Sequence, residues 1–457
     1  MRQPITTSLF SLFKVGPGPS SSHTIGPMRA GFLFFNACRE LPEEILRQAA
    51  SVRVHLFGSL SATGVGHGTD AAVLAGLLGT APEDCPPEYL AGLARDPHGK
   101  HLLDFGGKQI AVSLDDIRHD AVIHSFPYSN TLIASLLDAE GTTLFSREFY
   151  SVGGGFVTWK GAVAEASGEP VHKYSSMNEL HGLVREHGLN IYEIMLDNET
   201  AITGAPRSAI IHQLNELIER MLDSVRRGLD SEGVLPGTLN VQRKARMLWQ
   251  RAEGLSFTDP ERLLTRLNAC AFAAAEENAA GGVIVTAPTC GSAGVIPAII
   301  HAMRYDLRIG DRAIREGFLA AAAVGFIAKH NASIAGAEVG CQGEIGVASA
   351  MAAAMLTDAR GNRFRYTENA AEVALEHHLG ITCDPVQGYV QIPCIERNAM
   401  GAVKAYNASI IATGTDPYTH RVSLDAAIAA MAETGRDMNC KFKETSLGGL
   451  AVSMVEC

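Results

Sequence analysis

Residues 211–229 read Ile211-His212-Gln213-Leu214-Asn215-Glu216-Leu217-Ile218-Glu219-Arg220-Met221-Leu222-Asp223-Ser224-Val225-Arg226-Arg227-Gly228-Leu229. Ile211, Leu214, Ile218, Met221, Val225 and Leu229 fall three or four apart, which places them on one stripe of a long helix. Downstream the same period returns in windows at about 261–277, 293–305, 311–330, 344–357, 367–378, 398–412 and 423–434, joined by Gly/Pro-rich turns. Upstream, short apolar runs alternate with turns instead. Val52–Phe57, Ile110–Leu114, Ala121–Phe126 and Thr143–Tyr150 predict strands, with a helix over Ala71–Leu78. Between the two regimes, 164–178 turns to Ser, Glu, Gly and Pro, the composition of a linker. The expected architecture is an α+β N-terminal domain over 1–163, a linker over 164–178 and an all-α domain over 179–457. Only Val283–Thr286 in the second domain looks strand-like, and it runs directly into the loop Ala287-Pro288-Thr289-Cys290-Gly291-Ser292-Ala293-Gly294 at a helix start.

Composition narrows the function classes. Hydrophobic residues make up 46% of 457 and charged residues 19%, so the chain can bury a core and is not a disordered tail. The net charge is −11 and the 38 basic residues form no block, which argues against nucleic acid as a partner. The longest strongly apolar stretch, Phe318–Ala328, is shorter than the ~20 residues a membrane span requires, so no membrane partner is expected. Thr6, Thr7, Ser8 and Ser11 interrupt any apolar run near the start, so no secretory signal is read and a cytoplasmic location is expected.

Nine cysteines in such a chain disfavour a disulfide scaffold. Cys38, Cys85, Cys270, Cys290 and Cys440 show no ligand spacing and read as buried, inert thiols. Cys341, Cys383, Cys394 and Cys457 lie in Gly/Pro-bearing segments. None of them forms a Cys-x-x-Cys pair, so this is no zinc signature. Three thiols on separate loops suit a 4Fe-4S cluster with one iron left open as a Lewis acid. Three unrelated buried thiols fit the spacing equally well. The last residues, Leu447–Cys457, make an apolar tail with Gly448 and Gly449 as a bend. A frayed end is the ordinary outcome. The apolar character predicts instead that the tail docks and that Cys457 reaches the iron lacking a ligand.

Two loops offer hydroxyls and backbone N–H groups to an anion. Ser20-Ser21-Ser22-His23-Thr24 lies between Pro19 and Ile25-Gly26-Pro27, and Thr289 and Ser292 lie in the second loop. An ordinary helix N-cap explains either one alone. Among the histidines, His67 in Gly66-His67-Gly68-Thr69-Asp70 and His124, read as ending a strand, are candidate general bases; His23 and His330 are the remaining choices. Solvated or capping histidines are the plain alternative. Gly153-Gly154-Gly155 lacks a Walker lysine and dinucleotide spacing, so it reads as a strand turn.

Taken together, Gly16 through Thr24, Gly64 through Asp70, Ser151 through Gly155, Pro288 through Gly294, Lys329 through Glu344, and the segments at Cys383 and Cys394 resemble the single-chain bacterial iron-sulfur L-serine dehydratases over nearly the whole chain. The resemblance implies a β-type domain followed by an α-type catalytic domain. It also implies a 4Fe-4S cluster on Cys341, Cys383 and Cys394, conversion of L-serine to pyruvate and ammonia, and a homodimer. On that reading Ser20, Ser21, Ser22, Thr24, Thr289 and Ser292 bind substrate, and His124, His67 or His23 takes the α-proton. Two rivals stand beside it: a pyridoxal-phosphate β-eliminase, for which neither Lys14 nor Lys160 has a convincing context, and a non-catalytic amino-acid sensor.

Overall fold

The computed structural model describes residues 3–86, 88–162, 168–445 and 448–453. They form two compact units, and the division is not a single cut. Of the described residues, those within 15–162 and 278–283 make an α+β unit; those within 3–14, 168–277 and 284–453 make a mainly helical unit. The expected boundaries are corrected on two counts. The chain up to Lys14, expected in the first domain, belongs to the helical unit, and 278–283 belongs to the first. Residue 163, expected to end the first domain, and 164–167 of the expected linker lie outside the described residues. Its last two residues are already helical, because Ser176 accepts the Glu179 N–H and caps a helix starting at Met177.

The α+β unit is built on a five-stranded sheet. Its strands are β1 (Ser51–Phe57), β2 (Ile117–His119), β3 (Thr131–Leu137), β4 (Thr143–Ser151) and β5 (Val157–Trp159), in the order β2-β1-β3-β4-β5. Only the β1–β2 pair is parallel. Registers such as Val54 opposite Ala134 and Leu56 opposite Leu132 align buried side chains on one face. Helices α1 (Gly26–Arg39) and α2 (Thr69–Leu77) pack there around Phe34, Leu74 and Phe149. They approach closely because a Cβ on Gly76 would lie 2.1 Å from the Met28 carbonyl oxygen. The strand expected over Ala121–Phe126 is not formed: the segment is a loop with Ile123 93% exposed, and the strand is 131–137 instead. Gly153–Gly155, all at positive φ, turn β4 into β5.

In the helical unit, α3 (Asp311–Asn331) and α4 (Ile345–Ala359) pack against each other, and α5 (Phe364–Glu376) and α6 (Cys394–Gly414) close around α4. Every residue of α4 from Ile345 to Thr357 is buried, so this helix is apolar all round. The apolar stretch Phe318–Ala328 is buried within α3. The N-terminal residues dock in the same unit. Ser8 Oγ and the Leu9 N–H donate to the two oxygens of Glu199, at 2.6 and 2.8 Å, and the Phe13 ring lies 4.4 Å from that of Phe318.

Candidate functional site

Three segments of the helical unit carry the thiols Cys341, Cys383 and Cys394. Cys341 lies on a turn, Gly340–Gln342, just before α4. Cys383 lies on an extended segment held from both sides: its N–H donates to the Phe442 oxygen at 2.7 Å, and the Thr445 N–H donates to its own oxygen at 3.3 Å. Cys394 opens α6 directly after Pro393. All three are buried. The ligand atoms of Cys341, Glu344 and Cys383 lie within 4.8 Å of one another, with the two sulfurs 3.7 and 3.8 Å from Glu344 Oε2. Thr289 Oγ1 donates to the other carboxylate oxygen at 2.8 Å. Arg397, one turn into α6, donates to the Thr382 oxygen at 2.6 Å and Asp384 Oδ1 at 3.2 Å, and hydrogen-bonds Cys341.

Charge at this place is poorly solvated. Burial, reinforced by Glu444, lifts the Glu344 carboxyl to about 7 against the opposing bonds from Thr289, Cys341 and Cys383. The bond to Cys341, then burial, pushes the Cys383 thiol well up; burial, then Cys341, raises Cys394. Thiols that burial and one another keep from ionising are the donor set a positively charged group turns into ligands. Cys394 Sγ falls outside the 4.8 Å group but lies near enough to Cys341 for that thiol to raise it, and three buried thiols from separate segments are a donor set for an iron-sulfur cluster. The residues therefore fit the expected cofactor. Cys457 lies outside the described residues. Of the thiols read as inert, Cys38, Cys85, Cys270 and Cys290 are buried, whereas Cys440 is exposed, a correction.

Sequence reasoning missed three residues here. Glu344 follows Cys341 by three positions and Arg397 follows Cys394 by three, spacings that match no ligand motif. Asn398 Nδ2 donates to the Gly291 and Cys394 oxygens, at 2.8 and 2.9 Å, and its Oδ1 accepts the Gly294 N–H at 2.8 Å, so it ties the 287–294 loop to α6. Ser292 Oγ donates within its own loop, to the Ala287 oxygen at 3.1 Å, so unlike Thr289 it braces the turn.

The second group lies in the α+β unit. Ser21–Ile25 form one π-helical turn, capped by Ser20 Oγ, which accepts the His23 N–H at 3.2 Å. Ser22 Oγ is 2.8 Å from His23 Nδ1, and Ser59 Oγ is 3.0 Å from His23 Nε2. The rings of His23 and His67 lie 4.6 Å apart. Thr24 Oγ1 donates to the His67 oxygen at 2.9 Å, so its hydroxyl positions His67. Burial holds His23 down at about 4 against a bond at Ser59; burial, then His23, holds His67 at about 3. Both imidazoles are therefore neutral at physiological pH. His67 Nδ1 is 2.9 Å from the Thr63 oxygen and so carries the proton, leaving the lone pair on Nε2.

His124 is not on a strand end, which corrects the reading of its position. It lies in the exposed 121–130 loop beside Gly58, where its Nδ1 accepts the Phe126 N–H at 3.1 Å and its Nε2 is 3.3 Å from the Ser129 oxygen. Both ring nitrogens are engaged by backbone. His330 is exposed at the end of α3. Lys160, weighed as a Schiff-base lysine, points outward with its Nζ 3.7 Å from Glu148 Oε2.

Both units match known protein families. Residues 8–162 match the family described as serine dehydratase beta chain, and residues 186–451 match serine dehydratase alpha chain. The chain is 46% identical to the L-serine dehydratase of Streptomyces coelicolor over 98% of its own length and 99% of that protein. It is 42% identical to the L-serine dehydratase of Mycobacterium tuberculosis over 99% of its length and 100% of that protein. With that of Haemophilus influenzae it shares 40% over 98% and 99%. The chain belongs to the serine dehydratase family, with the beta-chain and alpha-chain parts joined in one polypeptide.

Proposed function

We propose that this protein eliminates water from L-serine to give pyruvate and ammonia, with Cys341, Cys383 and Cys394 holding a 4Fe-4S cluster. Three buried thiols from separate segments carry this reading, Cys341 and Cys383 meeting at Glu344 and Cys394 near enough for Cys341 to raise it, and the names of the relatives support it. When bound, the cluster would supply an iron-centred Lewis acid for departure of the β-hydroxyl. Arg397 contributes positive charge beside the thiolates, and Thr289 fixes the orientation of Glu344. In the α+β unit, Ser20, Ser21 and Ser22 offer hydroxyls for the substrate carboxylate. His67, with its lone pair on Nε2 and the His23 ring tilted beside it, is the proton acceptor we favour; His124, with both nitrogens engaged, ranks behind them. Once the proton and hydroxyl have left, the resulting enamine tautomerises and hydrolyses in water without further groups. A cytosolic homodimer completes the reading.

The test is an anaerobic preparation assayed for iron, sulfide and pyruvate formation. Cys341→Ser, Cys383→Ser or Cys394→Ser is expected to lose visible absorption and turnover together, while Cys270→Ser keeps both. Full iron content with normal turnover in any of the first three would remove the assignment.

A further inference from the structure

The helical unit holds a recess lined by none of the thiols. A cup of about 260 Å³ lies between the helices Ile191–Thr203 and Arg207–Asp230 and the first turns of α3. Its floor is apolar, formed by the buried Leu196, Leu214 and Leu319. Its rim carries three guanidiniums, Arg207, Arg312 and Arg315. Arg207 pairs with Asp197, and Arg312 Nε donates to Glu316 Oε1 at 2.7 Å while also bonding Tyr192. Arg315 Nη1 donates to Asn215 Oδ1 at 3.2 Å, an uncharged amide. Among the described residues the three rim guanidiniums therefore pair with two carboxylates, leaving one positive charge over an apolar floor in a chain of net −11.

We propose that this cup binds a short-chain carboxylate: the head group on the rim guanidiniums, Arg315 foremost, and the apolar tail on the three leucines. A guanidinium matches a carboxylate in a planar, two-bond fork. The single surplus charge suits one carboxylate better than a phosphate dianion. At ~30 Å³ for each water displaced, the volume equals roughly nine waters, the size of an acid of about six carbons. The chemistry is that of a small fatty acid or a branched 2-oxo acid. The cup shares no residue with the thiol group, so the inference stands apart from the proposed reaction.

Calorimetric titration of the full chain with hexanoate, hexanol and inorganic phosphate tests it, with the melting temperature as a second readout. Hexanoate is expected to bind saturably and raise the melting temperature, whereas hexanol and phosphate do neither. Arg315→Met is expected to weaken hexanoate roughly tenfold or more through loss of a charge-assisted pair. Ile211→Trp, from a half-buried residue lining the cup, fills it and has the same effect with visible absorption unchanged. Absence of saturable hexanoate binding up to about 10 mM would overturn the proposal. So would binding that survives Arg315→Met, and phosphate binding as tightly as hexanoate would overturn the carboxylate assignment.

Discussion

Asn398 makes three hydrogen bonds from one buried amide, and its removal is expected to be felt at both ends. Asn398→Ala leaves the Gly294 N–H and the Gly291 oxygen without that partner, at about 1–3 kcal/mol for each group left unsatisfied. Chemical denaturation should show the loss, and iron retention in air should fall with it. Thr289→Val is a finer change: the Glu344 carboxyl loses its orienting bond, and turnover should drop roughly tenfold or more with iron content unchanged. Asp358, far along α4, answers to pH. Burial, then the carboxylate of Glu316, lifts it to about 7 from an ordinary 3.8. Folding thus favours its protonated form, so its stabilising contribution is complete below about pH 4 and is lost as pH rises through 7. The melting-temperature advantage of Asp358→Asn over the parent should grow from pH 4 to pH 8; a constant difference across that range would show that Asp358 does not titrate there. At this scale the sequence exposes the thiols, because cysteine is rare and its chemistry narrow. Glu344, Arg397 and Asn398 act through neighbours that only the fold supplies.

Among the elements, α4 is the one whose packing leaves least room. It carries Ala348, Ala350, Ala352, Ala353 and Ala354, all buried, and α3 meets it at Gly317, where a Cβ would lie 2.4 Å from the Met355 oxygen. Gly317→Ala would force the two helices apart, and a loss of about 1–3 kcal/mol is expected in equilibrium unfolding. An unchanged midpoint would show that α3 can slide at no cost. Long amphipathic helices such as Arg207–Asp230 are legible from their stripe, because their outer face meets water. Strand β3 escaped notice because both its faces are largely covered, leaving a short apolar run that periodicity cannot separate from helix. Ala121–Phe126 failed in the opposite sense: its apolar residues face solvent, so hydrophobicity there reports no core.

For the whole molecule, binding a cluster only to the folded state adds stability by mass action. The holoprotein is expected to melt above the air-bleached form, and hydrogen exchange should slow on loading around 340–345, 382–384 and 394–398; protection spread evenly over the α+β sheet would contradict that. The two-part division is visible in the sequence because the hydrophobic period changes near residue 164. The exchange of chain at both margins is not, since neither residues 3–14 nor 278–283 carry a pattern that names their partners. That exchange bears on biosynthesis. The Gly18 N–H donates to the Gly282 oxygen at 3.0 Å, Asn278 Nδ2 donates to the Pro19 oxygen at 2.9 Å, and a Cβ on Gly18 would collide with Asn278. The turn that leads to Ser20 is thus finished by residues made about 120 positions after the sheet, a gap on the order of ten seconds at ordinary translation rates. A nascent chain emerging from the ribosome can close its sheet early, yet it must wait for the later half of the message before the serine-histidine turn has its last contacts.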